Sequence, residues 1–207
     1  YDVATLGNHE FDYGYAQLKE NLKEATFRTI CCNILDENGK PAFEGSKVFD
    51  IDGLKIGFIG VNTPESQTKA NPALIKGLTW LAGDDMVKAV QAEADKLKAD
   101  GTDVIVVLSH LGVDSESKPN RSTDLWAGLK DVDFIIDGHS HTVMANKQVT
   151  DASGKAVTLT QTGSYFANVG EMTIKADGSI ATRLISSYEG SDSAVADIQN
   201  AWVASVD

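Results

Sequence analysis

The four histidines of this 207-residue chain, His9, His110, His139 and His141, each stand in a glycine-containing turn directly after an apolar run. The densest of these turns is Asp137-Gly138-His139-Ser140-His141, entered from Val132–Ile136. A buried strand that opens at its carboxyl end into small residues can bring two imidazoles onto one object, because Gly138 is conformationally free and Ser140 is small. Neutral imidazoles gathered in this way suit a divalent metal of the Zn, Mn, Fe or Ni kind. Exposed loop histidines, or a hydrogen-bonded core histidine, are the plain alternative. The shared placement of all four favours a common site, since open α/β sheets bind ligands where loops converge at the carboxyl ends of strands.

Asn8, His110, His139 and His141 are the candidate metal ligands, with the Asn8 amide oxygen joining the ring nitrogens. All four are neutral. A pair of divalent ions held only by neutral donors would be poorly compensated, so a carboxylate, preferably bridging, is expected from elsewhere. Asp137 is available as a ligand or as an acceptor that orients a histidine. His9 is followed at i+3 by Asp12, which could hold one ring nitrogen and present a protonated imidazole to a substrate; Asp12 could instead cap the helix expected from Tyr13. Asn8 and His9 would then both face substrate. Glu10 reads as a turn or solvent residue.

The composition bounds the rest. The chain is 42% hydrophobic and 23% charged, ordinary for a globular protein, and long enough for one sizeable α/β domain with an appendage. The formal net charge of −12 and the lack of Lys/Arg clusters argue against a nucleic-acid backbone as partner. Any phosphate site would draw its positive charge from bound cations. No apolar run approaches the ~20 residues that span a bilayer, and no signal peptide opens the chain. Tyr1 begins what reads as a strand already under way, so we expect a fragment of a longer protein. Cys31 and Cys32 are adjacent within an apolar stretch; a vicinal disulfide is strained, and buried inert thiols pointing to opposite faces of a strand are expected.

Periodicity supplies the positioning elements. Strands are expected at Val3–Leu6, Phe27–Ile34, Lys47–Ile51, Leu54–Val61, Asp103–Leu108 and Val132–Ile136. Helices are expected at Tyr13–Ala25, Asp84–Ala99 (Met86, Val90, Ala94 and Leu97 on one face, Gly83-Asp84 as cap) and Thr123–Leu129. Thr63–Leu81 carries Pro64, Pro72 and Gly77 and reads as a long loop on the substrate side, with at most a short turn of helix. Lys147–Thr150, Val157–Thr162, Val169–Lys175 and Ile180–Ser187 alternate as short strands joined by turns at Ser153-Gly154 and Asp177-Gly178, and are expected to form an antiparallel meander. Ser193–Val206 is a final helix. A sheet pair covered by helices accommodates both the alternating first part and the strand-rich last part.

Gly-Asn-His-Glu-Phe-Asp at 7–12, Ser-His-Leu-Gly at 109–112, Gly-His-Ser-His at 138–141 and Gln161-Thr162-Gly163-Ser164-Tyr165 closely resemble, in order, the motifs of the calcineurin-like metallophosphoesterase superfamily. The nearest match within it is the 5′-nucleotidase / 2′,3′-cyclic phosphodiesterase family. The resemblance covers nearly the whole chain. It implies a four-layer α/β/β/α sandwich, N-terminally truncated, in which 1–190 form a partial catalytic domain and 191–207 a helix leading to a missing C-terminal nucleotide-binding domain in cis. It implies a hydrolase of nucleotides or other small phosphoesters, with two divalent metal ions that activate a water. Asn8, His110 and His139 would hold one metal and His141 the other, while His9 with Asp12 would stabilise charge on the transferring phosphoryl group. Gly138 and Gly163 would shape the turns. An extracellular, periplasmic or cell-surface setting is also implied. The family's Asp-x-His and Gly-Asp motifs lie before the Gly-Asn-His-Glu strand, and none precedes it here. The 207 residues are therefore expected to hold one metal or none and to turn over little substrate. A thiosulfate-ester hydrolase of the same superfamily, and a non-catalytic binding module that kept a metal clip, are the competing expectations.

Overall fold

The computed structural model describes residues 1–175 and 178–206. In chain order the elements are β1 (Val3–Thr5), α1 (Gly14–Glu24), β2 (Arg28–Ile30), β3 (Ile34–Leu35), β4 (Ser46–Ile51), β5 (Leu54–Asn62), α2 (Ser66–Lys69), β6 (Thr79–Trp80), α3 (Gly83–Ala99), β7 (Val104–His110), α4 (Ser122–Ala127), β8 (Phe134–Asp137), β9 (Val143–Thr150), β10 (Ala156–Thr162), β11 (Val169–Ile174), β12 (Ile180–Ile185) and α5 (Ser193–Val206).

The apolar strands β5, β7, β8 and β10 run parallel at the centre of a six-stranded sheet of order β4-β5-β7-β8-β10-β9, and β4 and β9 close it as antiparallel edges. Parallel strands need both faces covered, hence the near-continuous apolar runs of β5, β7 and β8. On one face the buried stripe Met86, Val90, Ala94 and Leu97 of α3, with Leu125 and Trp126 of α4, packs on Ile59, Val61, Ile105, Val107, Ile135 and Leu159. On the other face Ile56, Val104, Val106 and Phe134 meet Met172, Ile174 and Ile180 of the β11–β12 hairpin. The parallel pair β1–β2 lies over the same sheet beside β5 and β7. Its outer side buries Leu6 and Cys31 with Leu18 of α1, Phe11 and Trp80. The layers are therefore helix, sheet, split sheet, helix, a mixed α/β sandwich of the expected class.

Five local readings are corrected. The last four strands are not one antiparallel meander: β10 pairs parallel with β8 and antiparallel with β9, while β11 and β12 form a separate hairpin, because the apolar β10 is drawn into the parallel centre of the large sheet. The expected strand Phe27–Ile34 breaks into β2 and β3, because Cys31 N–H donates to Glu44 O and Cys32 N–H to Gly60 O, outside any ladder. Both thiols are free and buried, as expected, though not on a strand. The loop after β5 holds the short turn of helix allowed for there, α2, but also an unexpected strand, β6, which pairs antiparallel with β3. The Gly83-Asp84 side chain does not cap α3; Asn120 Oδ1 accepts from Gly83 N–H at 2.8 Å instead. β9 starts at Val143, before the expected Lys147. Asp177, of the expected second turn, and residue 207 lie outside the described residues. No helix among the described residues is long and apolar enough to cross a membrane.

Candidate metal centre

All four parallel strands of the large sheet end on one side, and register sets their ends level: Asn62 pairs with His110, Leu108 with Ile136, and Asp137 with Gln161. The turn after β1 arrives at the same place. Its carbonyl stem is tied down by Asn62, whose Nδ2 donates to Leu6 O at 2.8 Å, while Asn62 Oδ1 accepts from Trp80 Nε1 and Ser66 Oγ. The resulting open cleft of about 380 Å3 is lined by Asn8, His9, Asp12, Lys69, His110, His139 and His141. The six residues expected at the site are thus brought together, with Lys69 added.

At its floor, Asn8 Oδ1 lies 3.1 Å from His110 Nε2 and 3.1 Å from His139 Nδ1. Three donor atoms on three separate turns converge on one point. Burial, reinforced by His139, His9 and His141 nearby, pulls the His110 pKa down to about 4. His110 is therefore neutral near pH 7, the state a metal ligand needs. His9 stands at the rim, 80% exposed, with Nδ1 2.8 Å from Asp12 Oδ2. α1 starts only at Gly14 and has no side-chain cap, so Asp12 serves His9 and not the helix. Glu10 is a turn residue: Gly7 N–H donates to its Oε2 at 2.5 Å.

The turn 137–141 works differently from its sequence reading. Left-handed backbone falls on His139 (φ 78°) and His141 (φ 54°) and not on Gly138. Strain of this kind in non-glycine residues gathers at functional sites. Gly138 matters for space: a Cβ there would lie 3.1 Å from His110 Nδ1. Gly163 does take φ +82°. Asp137 orients no histidine ring. It accepts from Ser109 Oγ at 2.7 Å, Leu111 N–H at 3.1 Å and Gly112 N–H at 3.2 Å, and from Gln161 Nε2 at 3.1 Å. Burial pushes its carboxyl up, against these hydrogen bonds. Gln161 Oε1 in turn accepts from Thr142 N–H, so a buried polar link runs from the His110 turn through Asp137 to the His139–His141 turn.

Asn8 Oδ1, His110 Nε2 and His139 Nδ1 fit one divalent ion as a partial, neutral set. A complete two-ion set does not assemble: among the described residues no three His, Cys, Asp or Glu side chains are placed together to hold a metal. Sequence reasoning missed Glu65, Asn62 and Lys69. Glu65 follows the end of β5, the same strand-end position as the histidines, and that signal could have found it. Its Oε2 is 3.2 Å from His139 Nε2.

The low pKa of His110 carries a stability consequence for the metal-free chain. Between the unfolded value of 6.5 and about 4, the unfolded state binds more protons, so stability is full above pH 6.5 and falls as the pH drops towards 4. The loss from this one ring is at most about 3 kcal/mol. Urea unfolding of the metal-free chain from pH 7.5 to 4.5 checks it, with His110→Gln expected to flatten the slope in that window.

The layered α/β sandwich is similar to solved structures of a 5′-nucleotidase precursor and of a calcineurin-like phosphoesterase. The chain belongs to the family described as Bacterial capsule synthesis protein PGA_cap, whose model matches residues 1–157. It is 32% identical over 163 residues to a 2′,3′-cyclic-nucleotide 2′-phosphodiesterase/3′-nucleotidase of Haemophilus influenzae, covering 72% of this chain and 24% of that one. Its fold superposes on a 5′-nucleotidase precursor of Thermus thermophilus with a TM-score of 0.74 at 30% identity, covering 89% of this chain and 38% of that chain. It also superposes on a calcineurin-like phosphoesterase of Bacillus subtilis with a TM-score of 0.73 at 25% identity, covering 90% and 64%. The chain spans 10% to 34% of the length of the curated relatives it matches.

Proposed function

We propose that the protein to which this chain belongs is a metal-dependent phosphoester hydrolase acting on nucleotides, and that these residues form the phosphoryl-facing part of its catalytic domain. The observation that carries this reading is the placement of His110 Nε2 and His139 Nδ1 on the cleft floor, each 3.1 Å from Asn8 Oδ1. Those three would hold one divalent metal, of the Zn, Mn or Fe kind, and His141 would serve a second. When bound, such ions supply a nucleophilic water and polarise the phosphoryl oxygens. The carboxylate that bridges them comes from a part of the protein outside these residues.

His9 is placed for a separate task. Its Nδ1 is held by Asp12, which leaves Nε2 at the exposed rim, where it can donate to a phosphoryl oxygen as charge develops. Asn8 and His9 together make the substrate-facing edge. The nucleoside is recognised by a further domain that α5 leads to: α5 buries none of its residues and leaves Val195, Ile198 and Trp202 open, as suits residues 191–207 serving as a connecting helix after a domain of 1–190. An extracellular, periplasmic or cell-surface setting goes with this reading.

The test is metal analysis and hydrolysis of nucleotides and nitrophenyl phosphate by the protein carrying the remaining acidic metal motifs. His9→Ala should lower the rate about 10²- to 10⁴-fold while leaving metal content unchanged. The 207 residues alone should take up one ion or none and turn over little substrate. A protein that binds two ions and hydrolyses none of these esters would overturn the reading.

A further inference from the structure

Glu65 is bound by more partners than a surface carboxylate needs. It stands in the turn after β5, with a side chain only 21% exposed. Oε1 accepts from Ser117 Oγ at 2.5 Å. Oε2 accepts from Lys69 Nζ, one helical turn on, at 2.5 Å, and lies 3.2 Å from His139 Nε2. A plain i, i+4 ion pair on a short helix is worth only tenths of a kcal/mol and would not draw in a serine from the loop before α4 and a histidine from the turn after β8. Ser117 Oγ and Lys69 Nζ both donate to it, so the carboxylate is the acceptor in these contacts.

That fixes the chemistry of the ring it touches. His139 has Glu65 on its Nε2 edge and Asn8 Oδ1, 3.1 Å away, on its Nδ1 edge. Both edges face oxygen acceptors, and a carboxylate accepts more strongly than an amide oxygen, so a neutral ring places its hydrogen on Nε2 and leaves the Nδ1 lone pair aimed at the point shared with Asn8 and His110. Glu65 sits on the far edge of the ring from that point, so it cannot itself be a ligand or supply the missing bridging carboxylate.

We infer that Glu65 is a positioning residue that sets the tautomer and angle of His139, with Ser117 and Lys69 locking its carboxylate in place. The inference rests on the metal-site reading of Asn8, His110 and His139. Partners of this kind on the outer edge of a ligating imidazole orient the ring and raise its basicity, and losing one typically weakens metal affinity 10- to 100-fold.

Two measurements on the full chain test it. In the metal-free protein above pH 8, nitrogen-15 NMR of the His139 ring should show the hydrogen on Nε2 and a bare Nδ1. The hydrogen on Nδ1, donated to Asn8, would overturn the inference. Zinc titration should then give Glu65→Leu binding about 10- to 100-fold weaker than wild type and a smaller loss for Glu65→Gln, whose amide oxygen can still accept. Glu65→Gln also guards against a Leu variant that fails to fold. Equal zinc affinity in a folded Glu65→Leu variant would overturn it as well. If the 207 residues take up no zinc, the titration is made on the protein carrying the remaining acidic metal motifs; no zinc uptake there defeats the metal-site reading separately, and the ring-nitrogen result still decides the tautomer.

Discussion

Gly60→Ala is expected to destabilise the protein by about 3 kcal/mol or more, among the largest losses any single methyl group can cause here. A Cβ at Gly60 would lie 2.0 Å from the Ile30 carbonyl oxygen and 2.4 Å from its carbonyl carbon. Both are backbone atoms, so no rotamer change relieves the overlap. This is where β2 crosses β5, and the approach is fastened by Cys32 N–H donating to Gly60 O at 2.9 Å and Gly60 N–H to Gly45 O at 3.1 Å. The two layers must separate or β2 must detach. For a chain of this size the loss corresponds to a fall in Tm of roughly 6 to 12 °C, read by thermal melting followed by circular dichroism. Because β2 carries β1 through their parallel pairing, and β1 carries Asn8, the same variant should weaken metal uptake. A Tm within 2 °C of wild type would show that the layers are not in contact as described.

Asp137→Ala is expected to cost a comparable amount, about 3 to 5 kcal/mol, for an electrostatic reason. Its buried carboxylate accepts from Ser109 Oγ, Leu111 N–H, Gly112 N–H and Gln161 Nε2. Alanine leaves these donors in a water-poor pocket without an acceptor, and each unsatisfied buried donor costs about 1 to 3 kcal/mol before relaxation. Asp137→Asn should cost less: an amide oxygen can keep the Ser109, Leu111 and Gly112 contacts on Oδ1 and loses only the Gln161 partner. Chemical denaturation of both variants gives the comparison. The Ala variant should also lose affinity for zinc, because Asp137 joins the His110 turn to the turn of His139 and His141. Equal stability of the Ala and Asn variants would mean that the hydrogen-bond hub is not what holds these turns.

Much of the site could be read from residue types and order. The histidines each follow an apolar strand, strands of a parallel sheet end together, and ligands gather at those ends; residue order alone therefore points Asn8, His110, His139 and His141 to one cleft. The i+3 spacing of His9 and Asp12 left two roles open for the aspartate, and only the start of α1 at Gly14 decided between them. The amphipathic period of α3 is local and was legible down to its buried residues. The split of β2 from β3 was not, because it is imposed by hydrogen bonds to Glu44 and Gly60, distant partners that no local pattern announces.

What the sequence by itself determined is therefore the chemistry available: neutral nitrogen and amide donors at strand ends, a shortage of carboxylate among them, and an α/β alternation able to bring them together. Tertiary structure decided the assignments. It turned Asp137 inward to backbone amides, placed the left-handed strain on His139 and His141 in place of Gly138, and brought Glu65 to the far edge of His139 across 74 residues of chain. The physical reason is range. Periodicity and turn chemistry act over a few residues and are written into neighbouring side chains, whereas the partner of a buried polar group is chosen by whichever distant segment the packed layers deliver to it.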